Sequence, residues 1–502
     1  MDLSIFMDYC GDSCSVKDDM FDESTCIIQL QGILMSLLPE NYENTIQVIN
    51  NFQFLKNTRK YGCFVTNLYF TVEYRPNLIV NLSKLIKSFC NNLNDDEIRD
   101  KFCELLILYG LYSHFSDNNT YLYGCRLCFL KTCLDLGVFE MKKLMIHING
   151  FWKSCQSQRI LLCKIFTWFA PEILELEQTF FLHMHSILVF EYTSQHLSEE
   201  YGYFINKFDS YRKDDWRIWK DLVKHVCQED TVELAIRNND VIALEKMMEL
   251  YSFDINKRVE PNTFEPCWFL QKYPTLIMYT AYYGSSSCFF YLLKLGANTS
   301  VFDEAGNSLS NFAIAGGNIE IIMSCEKNCG LSIDSLHIAA LFHHYNVFQW
   351  IYRTKKFDMT LPTPQYSTVL RQAIYSNNLR TFQFCIKNNP DISLNGVLRY
   401  AALRGSCDII RYMHLMKDHI LLDSIDSDGR TPLHNAVKNG HFAAVEALIS
   451  NHCFDINQKD NLGNTPLMYA VKSGNYLVVQ VLLAAPSIDI NSCDNQFFFV
   501  VF

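Results

Sequence analysis

One phrase, written twice, constrains this chain more than any other feature. TPLHNAVKNGHFAAVEALISNHCFDINQKDNLGN begins at Thr431, and TPLMYAVKSGNYLVVQVLLAAPSIDINSCDN begins at Thr465, 34 residues later. The copies agree in role as well as letter: Ala436 matches Ala470, Gly440 matches Gly474, Leu448 matches Leu482, and Asp455-Ile456-Asn457 matches Asp489-Ile490-Asn491. A period that long marks a stacked repeat and not a single helix or strand.

Each copy reads as two short helices and a loop. Thr431 is placed to cap a helix, and Pro432 fits the first helical position, where its missing N–H costs nothing. Gly440, free to take positive φ, ends that helix, and Val445, Leu448 and Ile449 give a second one with a single apolar stripe. Asp455 to Gly463 is polar and rich in turn residues, which predicts a projecting hairpin loop. Neither helix can bury its stripe alone, so neighbouring copies must stack.

Thr431-Pro432-Leu433-His434 with Ala436, followed by Gly440 between two helices, resembles the motif of the ankyrin-repeat family. The resemblance implies that Thr and His brace the turn by hydrogen bonds; Met468 departs from the motif where the family has His.

The spacing from Ala to Gly serves as a ruler for extending the repeat backwards. It places the residue between the two helices at Asn239, Gly284, Gly317, His343, Asn377, Gly405, Gly440 and Gly474. Four residues earlier stands Ala in every copy except one, which has Thr280. Nine residues earlier stand Asp230, Thr275, Ser308, Asp334, Thr368, Gly396, Thr431 and Thr465, all preferred cap residues. The steps between marks are 45, 33, 26, 34, 28, 35 and 34 residues, and the longest carries an insertion, about 257–273, written KRVEPNTFEPCWFLQKY. That insertion reads either as a functional loop presenting Trp268 and Phe269 or as a finger folded back over the first hairpin.

Residues 24–226 lack the repeat but keep a helical pattern. Leu78, Ile79, Leu82, Leu85 and Ile86 recur at helical spacing, and Asp95-Asp96-Glu97 places negative charge where a helix start favours it. Further helices are predicted at about 123–136, 158–169, 171–185 and 216–227. The expected architecture is all-α: a solenoid of about eight helix-pair repeats over 227–493, preceded by an irregular helical domain over 24–226. The alternative is that the leading helices are degenerate solenoid turns capping the array. The arrangement resembles, more loosely, protist ankyrin proteins with an uncharacterised helical region in front. Residues 1–23 read as an acidic mobile start, since the first 43 residues hold nine acids against Lys17. The apolar tail over 494–502, ending QFFFVVF, reads either as a cover for the last repeat or as the sign of a truncated chain.

Composition excludes several functions. The chain has 502 residues, 49% apolar content and a net charge of −11, with no run of about 18 apolar residues that could span a membrane. No basic cluster precedes an apolar stretch at the N-terminus, so no secretory signal is read there; the expected location is cytoplasmic, with the nucleus left open. No Lys/Arg-dense stripe is visible in the sequence, so nucleic acid is not an expected partner. The twenty cysteines are expected to be reduced thiols. Cys125, Cys128 and Cys133 have the spacing of half a zinc site, but no second C-x-x-C follows, and His114 or His147 would have to complete it. No metal, cofactor or catalytic residue is assigned, because no phosphate-cradling, dinucleotide, nucleophile-elbow, kinase or zincin motif occurs.

The expected function is therefore non-catalytic: a scaffold holding partner proteins on the concave side and hairpin loops of the solenoid. Candidate contacts are Trp268, Phe269, Asp303, Glu304, Arg371, Arg399, Asp428, His434, Lys459, Asp460 and Asn461. A second reading makes the chain a substrate adaptor, for example of a ubiquitin ligase, with the helical N-terminal domain docking the enzyme. A third makes that N-terminal domain itself an enzyme. Oligomeric state is not set by the sequence.

Overall fold

The structure is a computed structural model; it describes residues 19–37, 41–52, 55, 60–112, 122–151, 156–195, 199–225, 231–250, 253–389, 394, 396–416, 425–450 and 455–495. The acidic start before residue 19, His114, Asp230 and the apolar tail from 496 onward lie outside these. Among the described residues the chain forms 27 α-helices and no strand.

The C-terminal half is built of eight helix pairs. In order they are α12 (Val232–Arg237) with α13 (Val241–Leu250), α14 (Leu276–Tyr283) with α15 (Ser286–Lys294), α16 (Leu309–Gly316) with α17 (Ile319–Asn328), and α18 (Ile333–Leu341) with α19 (Tyr345–Lys355). The second four are α20 (Val369–Tyr375) with α21 (Leu379–Asn388), α22 (Val397–Arg404) with α23 (Cys407–Leu415), α24 (Pro432–Lys438) with α25 (Phe442–Ile449), and α26 (Pro466–Ser473) with α27 (Tyr476–Leu483). Each first helix packs on the first helix of the next pair.

Local chemistry explains the phase. All eight residues marked by the ruler take positive φ, from 52° at Asn239 to 79° at Gly317. A chain reversing between two helices needs that conformation, and Gly and Asn adopt it most readily. Ala235, Ala313, Ala339, Ala373, Ala401, Ala436 and Ala470, with Thr280 in the second pair, are all buried where neighbouring first helices approach. The caps follow with two corrections. Ser308, Thr368, Thr431 and Thr465 accept from the backbone N–H three residues on, and Thr275 and Gly396 also occupy cap positions. In the first pair Thr231, not Asp230, caps the helix. In the fourth the cap is Ser332, because α18 starts two residues earlier and Asp334 falls inside it.

A further column links the pairs. From the second pair on, the residue after the left-handed mark donates a side-chain hydrogen bond to a backbone carbonyl of the preceding pair: Asn318 to Gly284 (3.1 Å), His344 to Ala315 (3.0 Å), Asn378 to Ala340 (2.8 Å), His441 to Leu403 (3.0 Å) and Asn475 to Gly440 (3.4 Å). Ser285 and Ser406 do the same to Ile236 and Ile374. These bonds satisfy carbonyls left open at the end of each first helix.

The leading region contains α1 (Asp19–Met35), α2 (Tyr42–Asn51), α3 (Tyr61–Tyr74), α4 (Ile79–Asn91), α5 (Asp96–Tyr112), α6 (Leu122–Asp135), α7 (Met141–Phe151), α8 (Gln156–Leu176), α9 (Gln178–Thr193), α10 (Glu199–Tyr211) and α11 (Arg217–His225). Asp95 caps α5 by accepting from the N–H groups of Glu97 (2.9 Å) and Ile98 (3.2 Å). Pro171 does not end a helix as expected. It kinks α8 at Phe169, and the break comes at Glu177.

These helices lie alongside the array. All fourteen residues of α3 are buried, and the helix runs across the turns between first and second helices of pairs four to seven. Its C-terminal end brings Tyr74 against Phe342 and His343 and lets the Tyr74 hydroxyl donate to Tyr375 O at 3.1 Å. Its middle places Asn67 on Asp408, and Gly62 near its start sits against Phe442. The buried apolar residues of the leading helices and the pairs form one continuous core.

Asp408 anchors that junction. Its carboxylate is fully buried, and Oδ2 accepts from Asn377 (2.7 Å), Asn67 (2.8 Å) and Gln31 (3.2 Å). Oδ1 accepts from the Cys63 thiol (3.3 Å) and faces Arg411 Nη1 (3.4 Å). A buried carboxylate is tolerated only with such a shell of donors. Here the donors come from α1, α3 and two successive pairs, so the charge ties all of them to one register. Inside the leading region Arg126 and Glu73 form a second buried ion pair, with Arg126 Nε donating to Glu73 Oε1 at 2.6 Å.

Candidate functional site

The first helices of the eight pairs line up side by side and define one face of the array. Its exposure is split. In pairs two to four Tyr282, Phe312, Ile338, Leu341 and Phe342 are buried, whereas in pairs five to eight Tyr375, Tyr400, Lys438, Tyr469 and Lys472 reach solvent.

The insertion causes the difference. It leaves the array at an isolated bridge between Arg258 and Thr275 and crosses the first helices toward the leading region. Phe269 sits 4.6 Å from Phe312 and 5.3 Å from Phe342 between ring centroids, and Trp268 stacks on Phe342 at 6.1 Å. On the other side Phe264 packs edge-on against Trp168 and Trp219, and Cys125 donates to Pro266 O. Glu265, 7% exposed, pairs with Arg237 at 3.0 Å and accepts from the Tyr279 hydroxyl. The segment is thus a wedge between α6 and the first helices, close to the folded-back finger of the two sequence alternatives, but lying over three pairs and not one hairpin.

The candidate contacts divide accordingly. Phe269 is 1% exposed and belongs to the core, which removes it as a surface contact; Trp268 is half-buried on Phe342. Asp303 and Asp460 are also internal, and each holds its own hairpin together. Asp303 accepts from the Asn307 N–H at 2.6 Å; Asp460 accepts from the N–H groups of Leu462 (3.0 Å) and Asn464 (2.8 Å) and from the Tyr469 hydroxyl (2.6 Å). Burial raises the Asp303 carboxyl; at Asp460 burial is outweighed by the Tyr469 hydroxyl and backbone donors, which lower it.

His434 is fully buried, and its role is bracing. Nδ1 accepts from the Thr431 N–H at 3.1 Å, so Nε2 carries the proton and donates to Asn464 O at 3.1 Å. His337 repeats the bond to the next loop, donating to Leu361 O at 3.2 Å. Met468 lacks such a group and is buried, leaving only the Thr465 cap in that pair.

Glu304, Arg371, Asp428, Lys459 and Asn461 are exposed, and Arg399 is half-exposed. Several still have structural duties. Asn461 donates from its backbone to Asp428 O (3.0 Å) and from its side chain to Ser427 O (3.1 Å), stitching consecutive hairpin tips. Lys459 donates to Cys493 O at 2.8 Å, and Asp428 pairs with Arg430 at 2.6 Å. Arg371 lies over the Tyr400 ring at 4.3 Å, so its charge is held flat on the face.

The cysteines whose spacing suggested half a zinc site, where no metal was assigned, are spread along buried faces of α6. Burial holds the Cys125 thiol well above its usual range and pushes Cys128 and Cys133 up to about 12.

What sequence reasoning missed is the half-buried tyrosines Tyr375, Tyr400 and Tyr469, and the signal was present. Tyr400 and Tyr469 occupy the same place in their copies, five residues before the mark, and Tyr375 falls two before its own. Residues 398–494 match a family model described as ankyrin repeats, three copies. No curated protein matches the chain.

Proposed function

This chain is an ankyrin-repeat protein, with the repeats matched over residues 398–494, and from that premise we propose that the first helices and hairpin tips of pairs five to eight hold a partner protein. Repeats of this class generally serve as protein–protein interaction modules and are typically non-catalytic. The observation that carries the narrower reading is the split face: the insertion covers pairs two to four, and beyond it Arg371 is exposed and Tyr400, Tyr469 and Lys438 are partly exposed. A face preformed on stacked helices is ordered before binding, which lowers the cost of association. Large tyrosine rings with few rotatable bonds suit such a surface.

Site-specific photo-crosslinking tests this. A cross-linker replacing Tyr400 or Lys472 is expected to capture a protein that the same group at Lys294 or Lys387, on second helices, does not. Capture concentrated on second helices or on α9 would overturn the assignment.

A further inference from the structure

The first helices of the last four pairs, α20, α22, α24 and α26, carry Arg371, Arg399, Arg404, Lys438 and Lys472 and no carboxylate. The first helices of the first four pairs carry Glu233 and Asp334 against Arg237. The first helices of the open half are therefore basic in a chain whose net charge is −11.

Little inside the fold offsets these cations. Lys472 is paired with Asp494 at 3.5 Å, and the Arg404 guanidinium lies over Tyr375 at 4.5 Å. Among the described residues no carboxylate lies within ion-pair distance of Arg371, Arg399 or Lys438. The acids on the neighbouring hairpins keep their charge but are tied to their own loops: Asp426 accepts from the N–H groups of Asp428 (3.0 Å) and Arg430 (2.9 Å), and Asp460 is held as described above.

We infer that the partner held on this face presents an extended acidic segment, with carboxylates near every third residue. The inference rests on the proposed binding face and adds the chemistry of its occupant. Packed helices lie about 8–10 Å apart, and an extended chain advances about 3.3 Å per residue. One carboxylate in three thus meets successive first helices, and about ten residues span pairs five to eight. Tyr400 and Tyr469 supply apolar surface between the charges, which favours a polypeptide over a bare polyanion.

The test uses the full chain and a fluorescein-labelled twelve-residue peptide of four Glu-Gly-Ser triplets, read by anisotropy. Binding is expected, weakening at least tenfold between 50 and 300 mM salt, and absent for the Gln-Gly-Ser counterpart. The triple variant Arg371→Gln/Arg399→Gln/Lys438→Gln is expected to lose at least tenfold in affinity, while Arg371→Lys/Arg399→Lys retains it. A control triple on the second helices, Lys294→Gln/Lys327→Gln/Lys387→Gln, removes the same charge and is expected to change affinity less than twofold. Thermal melts confirm that each variant folds. No binding of the acidic peptide, equal losses in both triples, or tighter binding of a single-stranded oligonucleotide of equal charge overturns the inference. If cross-links from Tyr400 map to a partner segment without acids, the occupant chemistry fails while the binding face stands; if no partner is cross-linked there, both fail.

Discussion

His344 and His441 each follow a left-handed mark and donate to the preceding pair, and in three other pairs Asn does the same work. The substitution is not neutral toward pH. Burial, aided by Arg75, pushes His344 down to about 3; burial, aided by Arg126 and Arg404, does the same to His441; His343 falls to about 4 through burial and Arg75. All three are neutral in the folded chain near pH 7. Because their folded values lie below the ordinary one near 6.5, their contribution to stability is complete above pH 6.5 and is lost as pH falls toward 3. Each costs roughly 1.4 kcal/mol per pH unit in that window. His441→Asn should keep the hydrogen bond to Leu403 and flatten the decline in urea midpoint between pH 6.5 and 5; an unchanged slope would remove His441 from this account. The column was legible, since the residues after the marks are all polar, but which carbonyl each one reaches depends on the neighbouring pair.

At the scale of elements, the helix easiest to miss is the most buried. YGCFVTNLYFTVEY, the sequence of α3, is apolar on all sides with scattered β-branched and aromatic residues, so it has no stripe for a period search to find. A helix of that kind is stable only inside a protein. By contrast α4 was readable, because Ile79, Leu82, Leu85 and Ile86 sit on one side and are buried together. A close approach also escapes sequence reading at Gly316, where an added Cβ would meet the carbonyl oxygens of Ala281 and Tyr282 at 2.4 Å. Gly316→Ala gains about 1 kcal/mol in helix preference, but pushing α14 and α16 apart costs about 1–3 kcal/mol. The net expectation is a destabilised protein, measured as a lower denaturation midpoint; a rise in midpoint would show that the two helices can separate freely.

For the whole molecule, the leading helices and the repeats share one core, so the array does not stand alone. A fragment beginning at Thr231 would uncover Phe442, take Tyr74 away from Phe342 and strip Asp408 of the Asn67 and Gln31 donors. It is expected to unfold at markedly lower urea than the full chain, which should lose leading helices and repeats in one transition. In the full chain Asp408→Ala leaves buried donors and Arg411 without their acceptor, at a cost of about 3 kcal/mol. A fragment with the midpoint of the full chain would mean that the junction contributes nothing.

The repeat phase, the left-handed marks, the small residues between first helices and most caps were determined by the sequence alone, because each answers to chemistry within a few residues: a positive φ, an open N–H, a missing Cβ. Which surfaces meet is a different matter. That α3 covers the turns of pairs four to seven, that Phe264 to Leu270 closes the face of pairs two to four, and that five cations from four successive copies line the remainder were decided only in the tertiary structure. Apolar rings and like charges carry no address of their own, and their partners are set by which elements the folded chain brings side by side.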